Sequence, residues 1–175
     1  MIRFVFFLLV IISLPIQAQS WKTPAIEGYG RIIEYEEVAI KPNPQKEYKM
    51  FFHITNKKER DGVNASLWKI ARLINLLEAN HVPKESIQVA AVISGEASPI
   101  VLTEKAYKLK KGKSNPNLDL IKKLTDYGVP INICGQAAAE RGINPETEMN
   151  PLIKLTLSAL IDIPTYQMQG YTIIR

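Results

Sequence analysis

From residue 48 onward the chain alternates short, β-branched apolar runs with segments of helical periodicity. Tyr48 to Ile54 reads as a strand, apolar enough to be buried on both faces. Asn64 suits a helix cap, and the pattern from Ala65 to Asn80 places Leu67, Ile70, Ala71, Ile74 and Leu77 within one arc. Trp68, Leu73 and Leu76 fall outside that arc, which predicts a second covering surface, such as another subunit. Ser86 to Ser94, Val129 to Cys134, Leu152 to Leu157 and Tyr171 to Ile174 read as further strands. Helices are predicted over Pro99 to Lys108, Leu118 to Tyr127 and Gln136 to Arg141. A last helix is expected to start near Asp162, so that Pro164 falls in its first turn. Strands that alternate with helices close into a mostly parallel α/β sheet of four or five strands covered on both faces. The expected core includes Phe51, Ile54, Leu67, Ile70, Ile74, Val89, Ala91, Ile93, Leu120, Leu124, Ile131 and Ile133.

Residues 1–18 differ from the rest. Arg3 precedes an unbroken apolar run from Phe4 to Ile12, and Ala18 places a small residue before Gln19. This is the layout of a secretory signal peptide. The run is shorter than the roughly 20 apolar residues that span a bilayer, which disfavours an uncleaved anchor. The expectation is an exported protein, periplasmic or secreted, with no membrane association after cleavage. Cleavage would remove Arg3 and no acidic group, lowering the formal net charge from +5 to +4. So mild a charge does not point to nucleic acid. Residues 19–47 are broken by Pro24, Gly28, Gly30, Pro42 and Pro44. They read as a leader that lies against the domain or stays mobile, with one short extended piece carrying Ile32, Tyr35, Val38 and Ile40. The folded domain is then 48–175.

One residue stands out chemically. Cys134 is the only cysteine, so no intramolecular disulfide exists. It ends a predicted central strand, and reaction sites of open α/β sheets cluster at that carboxyl edge. A short helix opens immediately after it. Backbone N–H groups near Gly135 and Gln136 would point at the sulfur, and a helix N-terminus favours thiolate, the nucleophilic form. Arg141, seven residues on, either reaches back toward the sulfur or closes the loop. The competing reading makes Cys134 a small buried hydrophobe with an inert thiol.

Other motifs are silent. His53 and His81 are distant from each other and from Cys134 and lack metal-ligand spacing. The glycines match neither a dinucleotide fingerprint nor a phosphate loop, so no cofactor is implied. Lys105, Lys108, Lys110, Lys111 and Lys113 read as a solvated helix end and loop.

The segment Cys134-Gly-Gln-Ala-Ala-Ala-Glu-Arg141-Gly142-Ile143 resembles the signature of the DsrE/DsrF-like family. Val63-Asn64, Ala71-Arg72-Leu73, Val89 to Gly95, Asn115-Pro116-Asn117-Leu118, Gly128-Val129, Leu157-Ser158-Ala159-Leu160 and Gln169-Gly170-Tyr171 fit in order. The likeness covers about residues 48–175. It implies a flavodoxin-like three-layer sandwich and a homo-oligomer, trimer or hexamer. It also implies a sulfur relay in which Cys134 carries a persulfide between a donor and an acceptor protein. Two other functions stay open: a non-enzymatic oligomeric binding module with Cys134 lining a small pocket, and a structural protein.

Overall fold

A computed structural model describes residues 20–175. The signal-peptide reading of residues 1–18 lies outside the described residues. Among them no helix is long and apolar enough to cross a membrane.

Five strands build the sheet: β1 (Tyr48–Ile54), β4 (Ile87–Ile93), β5 (Ile131–Cys134), β6 (Lys154–Thr156) and β7 (Thr172–Ile174). They lie in the order β6-β5-β4-β1-β7, every pair parallel. A parallel pair needs a crossover, and helices supply them. These are α1 (Ala65–Ala79), α2 (Glu104–Lys111), α3 (Leu118–Tyr127), α4 (Gly135–Glu140) and α5 (Ala159–Met168). The pleat sends alternate residues to opposite faces. Met50, Phe52, Ile54, Val89, Ala91, Ile93, Ile131 and Ile133 meet α1 and α3 on one side. Phe51, Ala90, Val92 and Cys134 face α5 on the other, where Phe51 stacks on Tyr166 and Tyr166 meets Tyr171 edge-on. The result is the expected three-layer α/β sandwich. Every residue assigned to the core from sequence is at most 4% exposed. Burying each of the larger ones contributes about 1.5–3 kcal/mol.

Asn64 caps α1: its Oδ1 accepts from Ser66 N at 2.9 Å and Leu67 N at 3.3 Å. Between β1 and α1 a small hairpin forms: β2 (Glu59–Arg60) pairs antiparallel with β3 (Val63–Asn64). Its turn is Asp61-Gly62, with φ of 50° and 82°. Asp-Gly is the dipeptide that favours a turn with both central residues in the left-handed region.

Three expectations need correction. The helix placed over 99–108 is split. Gly95–Val101 is a 3₁₀ turn, and α2 starts only after Thr103, whose Oγ1 accepts from Ala106 N at 3.3 Å. The last helix begins at Ala159, three residues before Asp162, because Ser158 caps it with a bond from Leu160 N of 3.2 Å. Pro164 therefore lies inside α5. The carbonyl that an N–H at 164 would have met belongs to Leu160, which is 81% exposed, so the loss of that bond is cheap.

The third correction concerns the segment before β1. Of the four residues assigned to one extended piece, only Ile32 is buried, and Tyr35, Val38 and Ile40 are exposed. Residues 22–32 instead form a compact strap over α1. Asn75, fully buried in mid-helix, holds the strap with four hydrogen bonds. Its Oδ1 accepts from Ala25 N and Ile26 N, and its Nδ2 donates to the carbonyls of Tyr29 and Gly30. Gly30, at φ 63°, sits so close that an added Cβ would come within 2.2 Å of Arg72 N. Trp68, outside the apolar arc of α1, is thus covered by this chain's own residues and is 1% exposed. Leu76, also outside the arc, stays 38% exposed, so the chain itself covers only part of the surface predicted for α1.

Candidate thiol site

Cys134 ends β5 and faces α5. Gly135, the first residue of α4, has no room for a side chain. A Cβ there would lie 2.7 Å from the carbonyl oxygen of Thr156 and 3.3 Å from that of Leu157. The glycine lets α4 press its first turn against the β6–α5 connection, and that contact brings the start of α5 to the sulfur. Gln136 Nε2 donates to Leu157 O at 3.3 Å across the same contact. Thr156 Oγ1, 2.6 Å from Asp162 Oδ2 and 3.2 Å from Ile133 O, ties the first turn of α5 to the strand end.

The sulfur therefore sits between two helix starts. Burial pushes its pKa up. Against that act the N–H groups of Ala159 and Ala137, the Ser158 hydroxyl and the Gln136 N–H, and the balance falls below the ordinary thiol range. Ser158 Oγ lies 3.9 Å from Sγ. Because this oxygen accepts from Leu160 N, its own hydrogen is free to point at a thiolate. Such donors stabilise the anion, and anionic sulfur is the nucleophile.

Of the four residues singled out from sequence, the structure places Cys134 beside the backbone N–H of Gln136. Gly135 contributes space rather than a hydrogen bond. Arg141 caps the far end of α4 and is exposed. It lines a cleft of about 360 Å³ with Lys110, Glu140 and Ile143, and is not among the groups that bond the sulfur. The thiol is nearly enclosed, with Cys134 5% exposed. Sequence reasoning missed Ser158 and Ala159 as site residues. A serine directly before an Ala-Leu helical run is an N-cap signal, and it was readable.

A second polar pair faces the same side of the sheet. His53 Nε2 lies 2.8 Å from Ser94 Oγ. Ser94 and Cys134 each follow directly on the paired residues Ile93 and Ile133. Burial, with a smaller contribution from the Arg175 charge, lowers the His53 pKa.

A parallel three-layer sandwich with one cysteine at its carboxyl edge, held between two helix starts, defines a class of thiol-bearing α/β domains. The model of the DsrE/DsrF-like family matches residues 49–175, and the chain belongs to that family. Two solved structures share the fold. A protein of unknown function from Methanobacterium thermoautotrophicum is 22% identical, with a TM-score of 0.55, over 74% of this chain and 99% of its own. The ychN protein from E. coli is 14% identical, with a TM-score of 0.51, over 73% of this chain and 97% of its own. No curated protein matches the chain.

Proposed function

We propose that this protein is a thiol-based sulfur carrier acting outside the cytoplasm, loaded as a persulfide on Cys134. The observation that carries this reading is the position of the sulfur at the starts of α4 and α5, with Ser158 Oγ at 3.9 Å and the N–H groups of Ala159, Ala137 and Gln136 lowering the thiol pKa against burial. A buried structural thiol has no need of them. A persulfide is anionic near neutral pH, so the groups that favour thiolate also favour the loaded form. Membership of a family associated with sulfur relay supports the same reading.

The loading step is an exchange at sulfur. Cys134 thiolate attacks the outer sulfur of a donor persulfide R–S–SH. The donor S–S bond breaks, its electron pair leaves on R–S⁻, and Cys134–S–SH forms. Transfer to an acceptor thiolate is the same step in reverse. With the thiol buried, donor and acceptor are small, or they are proteins that present a narrow loop. The export expectation rests on Arg3, the Phe4–Ile12 run and Ala18. A homo-oligomer, trimer or hexamer, is part of the proposal. Leu157, Leu160, Ile161 and Met168 motivate it, since they lie exposed in and just before α5.

Intact-mass spectrometry after brief exposure of the purified protein to polysulfide tests the function. The expected result is addition of one sulfur atom, reversed by a thiol reductant and absent in Cys134→Ser. An unmodified mass, with a thiol that labels only after denaturation, would overturn the reading in favour of an inert structural cysteine.

A further inference from the structure

Away from Cys134, at the strap side of α1, three guanidinium groups are stacked with both tryptophans of the chain. The Arg60 and Arg72 guanidinium carbons lie 3.8 and 4.1 Å from the Trp68 ring centroid. Arg72 is also 5.8 Å, and Arg31 5.2 Å, from the ring of Trp21. Trp68 is buried by this stack, while Trp21 stays 54% exposed at its outer end.

Part of the cluster has a structural explanation. Arg72 donates from Nε and Nη2 to the carbonyl of Arg31, at 3.1 and 2.8 Å, and so helps to clamp the strap. That does not account for Arg60. It comes from the β2–β3 hairpin and adds a second cation to the same indole. The one carboxylate of the group, Asp61, lies 3.8 Å from Arg31 Nε and accepts from Trp68 Nε1 at 3.1 Å. Among the described residues neither Arg60 nor Arg72 has a carboxylate within ion-pair distance. Three cations thus share one anion. The repulsion acts on Arg72, whose pKa is lowered by burial and then by Arg60 and Arg31, with Asp61 acting the other way.

A guanidinium stacked on an indole keeps its plane fixed while its N–H edge stays available. Among the described residues Arg60 spends none of its side-chain donors, and Arg72 spends only Nε and one Nη2 hydrogen on the strap; such remaining donors beside uncompensated charge are what a phosphate or sulfate group takes, through charge-assisted hydrogen bonds. We propose that Arg31, Arg60 and Arg72 form a binding site for a phosphate- or sulfate-type oxyanion, with the Trp21 and Trp68 faces holding the guanidiniums in place. The bound oxyanion supplies the missing counter-charge and relieves the repulsion among the three arginines. The site is separate from Cys134, so it stands or falls independently of the sulfur-carrier reading.

The chain carries its own reporter, since Trp21 and Trp68 are its only tryptophans. Indole emission of the full chain would be followed during titration with inorganic pyrophosphate. Parallel titrations use chloride at matched ionic strength and phosphatidylglycerol vesicles against phosphatidylcholine vesicles. The expected result is a saturable change with pyrophosphate that chloride does not reproduce. Arg60→Gln should weaken it roughly tenfold or more, the loss expected for a charged hydrogen bond. Arg72→Lys, which keeps the charge and loses the fork, should weaken it by less. Arg60 contributes only its contact with the Trp68 ring, whereas Arg72 also clamps the strap carbonyl, so the Arg60 variant should lose less melting temperature than Arg72 variants. A response to the anionic vesicles alone, lost in Arg60→Gln, supports the site and assigns a lipid phosphodiester as the source. No saturable response to either probe, an equal response to chloride, or unchanged affinity in Arg60→Gln would overturn the proposal.

Discussion

Ser158 stands over Cys134, with Oγ 3.9 Å from the sulfur, while the same oxygen caps α5 by accepting from Leu160 N. One hydroxyl thus places the helix start and faces the thiol. Ser158→Ala removes both functions and leaves the Ala159 N–H, the donor that lowers the thiol pKa most, less well fixed. The midpoint of thiol labelling against pH should rise. The sign follows from the balance at the sulfur: burial raises the pKa, the donors lower it, and removing a donor moves the group back up. Loss of the cap should also cost about 1 kcal/mol of stability. Labelling and thermal melts on the same samples separate the two effects. An unchanged midpoint would mean that Ser158 acts only as a cap.

In the wild-type protein the same balance predicts two features of the labelling curve. The midpoint should lie below that of a free thiol, because the Cys134 pKa is lowered in spite of burial. The plateau rate should also be depressed, because the residue is 5% exposed. At every pH below the ordinary thiol range the thiolate fraction exceeds that of a free cysteine, and above that range the advantage vanishes because both are ionised. A small reagent such as iodoacetamide, compared with a bulky maleimide, reads the steric part at fixed pH. A midpoint at or above that of a free thiol would remove the main support for a nucleophilic Cys134.

Gly135→Ala tests the close approach that joins the two helix starts. The added methyl meets the backbone of Thr156 at 2.7 Å, which cannot move as a flexible side chain would. Overpacking of this kind costs roughly 1–3 kcal/mol. Because α4 and α5 would be pushed apart, the labelling midpoint should rise with the loss of stability. Cys134→Ser should be much milder, and a Gly135→Ala variant as stable as wild type would show that the contact is slack.

The sandwich was legible because its signals are local. Apolar runs of strand length alternate with capped helical periods, and Asn64, Gly128 and the Phe51-to-Ile54 run each announce an element. Gln136 was legible for the same reason, being next in sequence to a strand-ending cysteine. What escaped depends on contacts across the fold. Ser158 and Ala159 reach Cys134 only after β6 pairs with β5, and nothing within the 134–141 segment signals that pairing. Asn75 interrupts an apolar helix face and reads as a blemish, until the strap it binds, 45 to 50 residues earlier, is seen to need it. Arg141 was placed by helical spacing, which gave the distance along α4 but not the direction of the side chain.

Asn75→Leu follows from that strap. The substitution keeps the branched shape and leaves two N–H groups and two carbonyls of residues 25–30 without partners. Each unpaired buried group costs about 1–3 kcal/mol, reduced where water can enter. A net loss of about 3 kcal/mol or more is expected. Trp68 emission should shift to longer wavelength as the strap loosens. Urea unfolding followed by both circular dichroism and tryptophan emission checks this. A stability change below about 1 kcal/mol would mean that the strap contributes little to the fold.

The apolar surface left over lies at α5. Leu157 and Leu160 are 71% and 81% exposed, and Ile161 and Met168 are 54% and 81% exposed, on an element whose only fully buried residue is Ala159. Clusters of large exposed apolar side chains mark interaction surfaces in soluble proteins. With Trp68 covered from within the chain, this face rather than α1 is where copies should meet. Leu160 also lies two residues from Ser158, so an interface here would form a wall beside the thiol. Sedimentation velocity at micromolar concentration should show a trimer or hexamer, and Leu160→Asp should dissociate it, since a buried unpaired carboxylate is costly at an apolar contact. The melting temperature of the dissociated variant should fall at most in proportion to the lost interface, because Leu160 makes little contact within its own chain. A wild-type monomer at high micromolar concentration, or an oligomer indifferent to Leu160→Asp, would rule out α5 as the meeting surface.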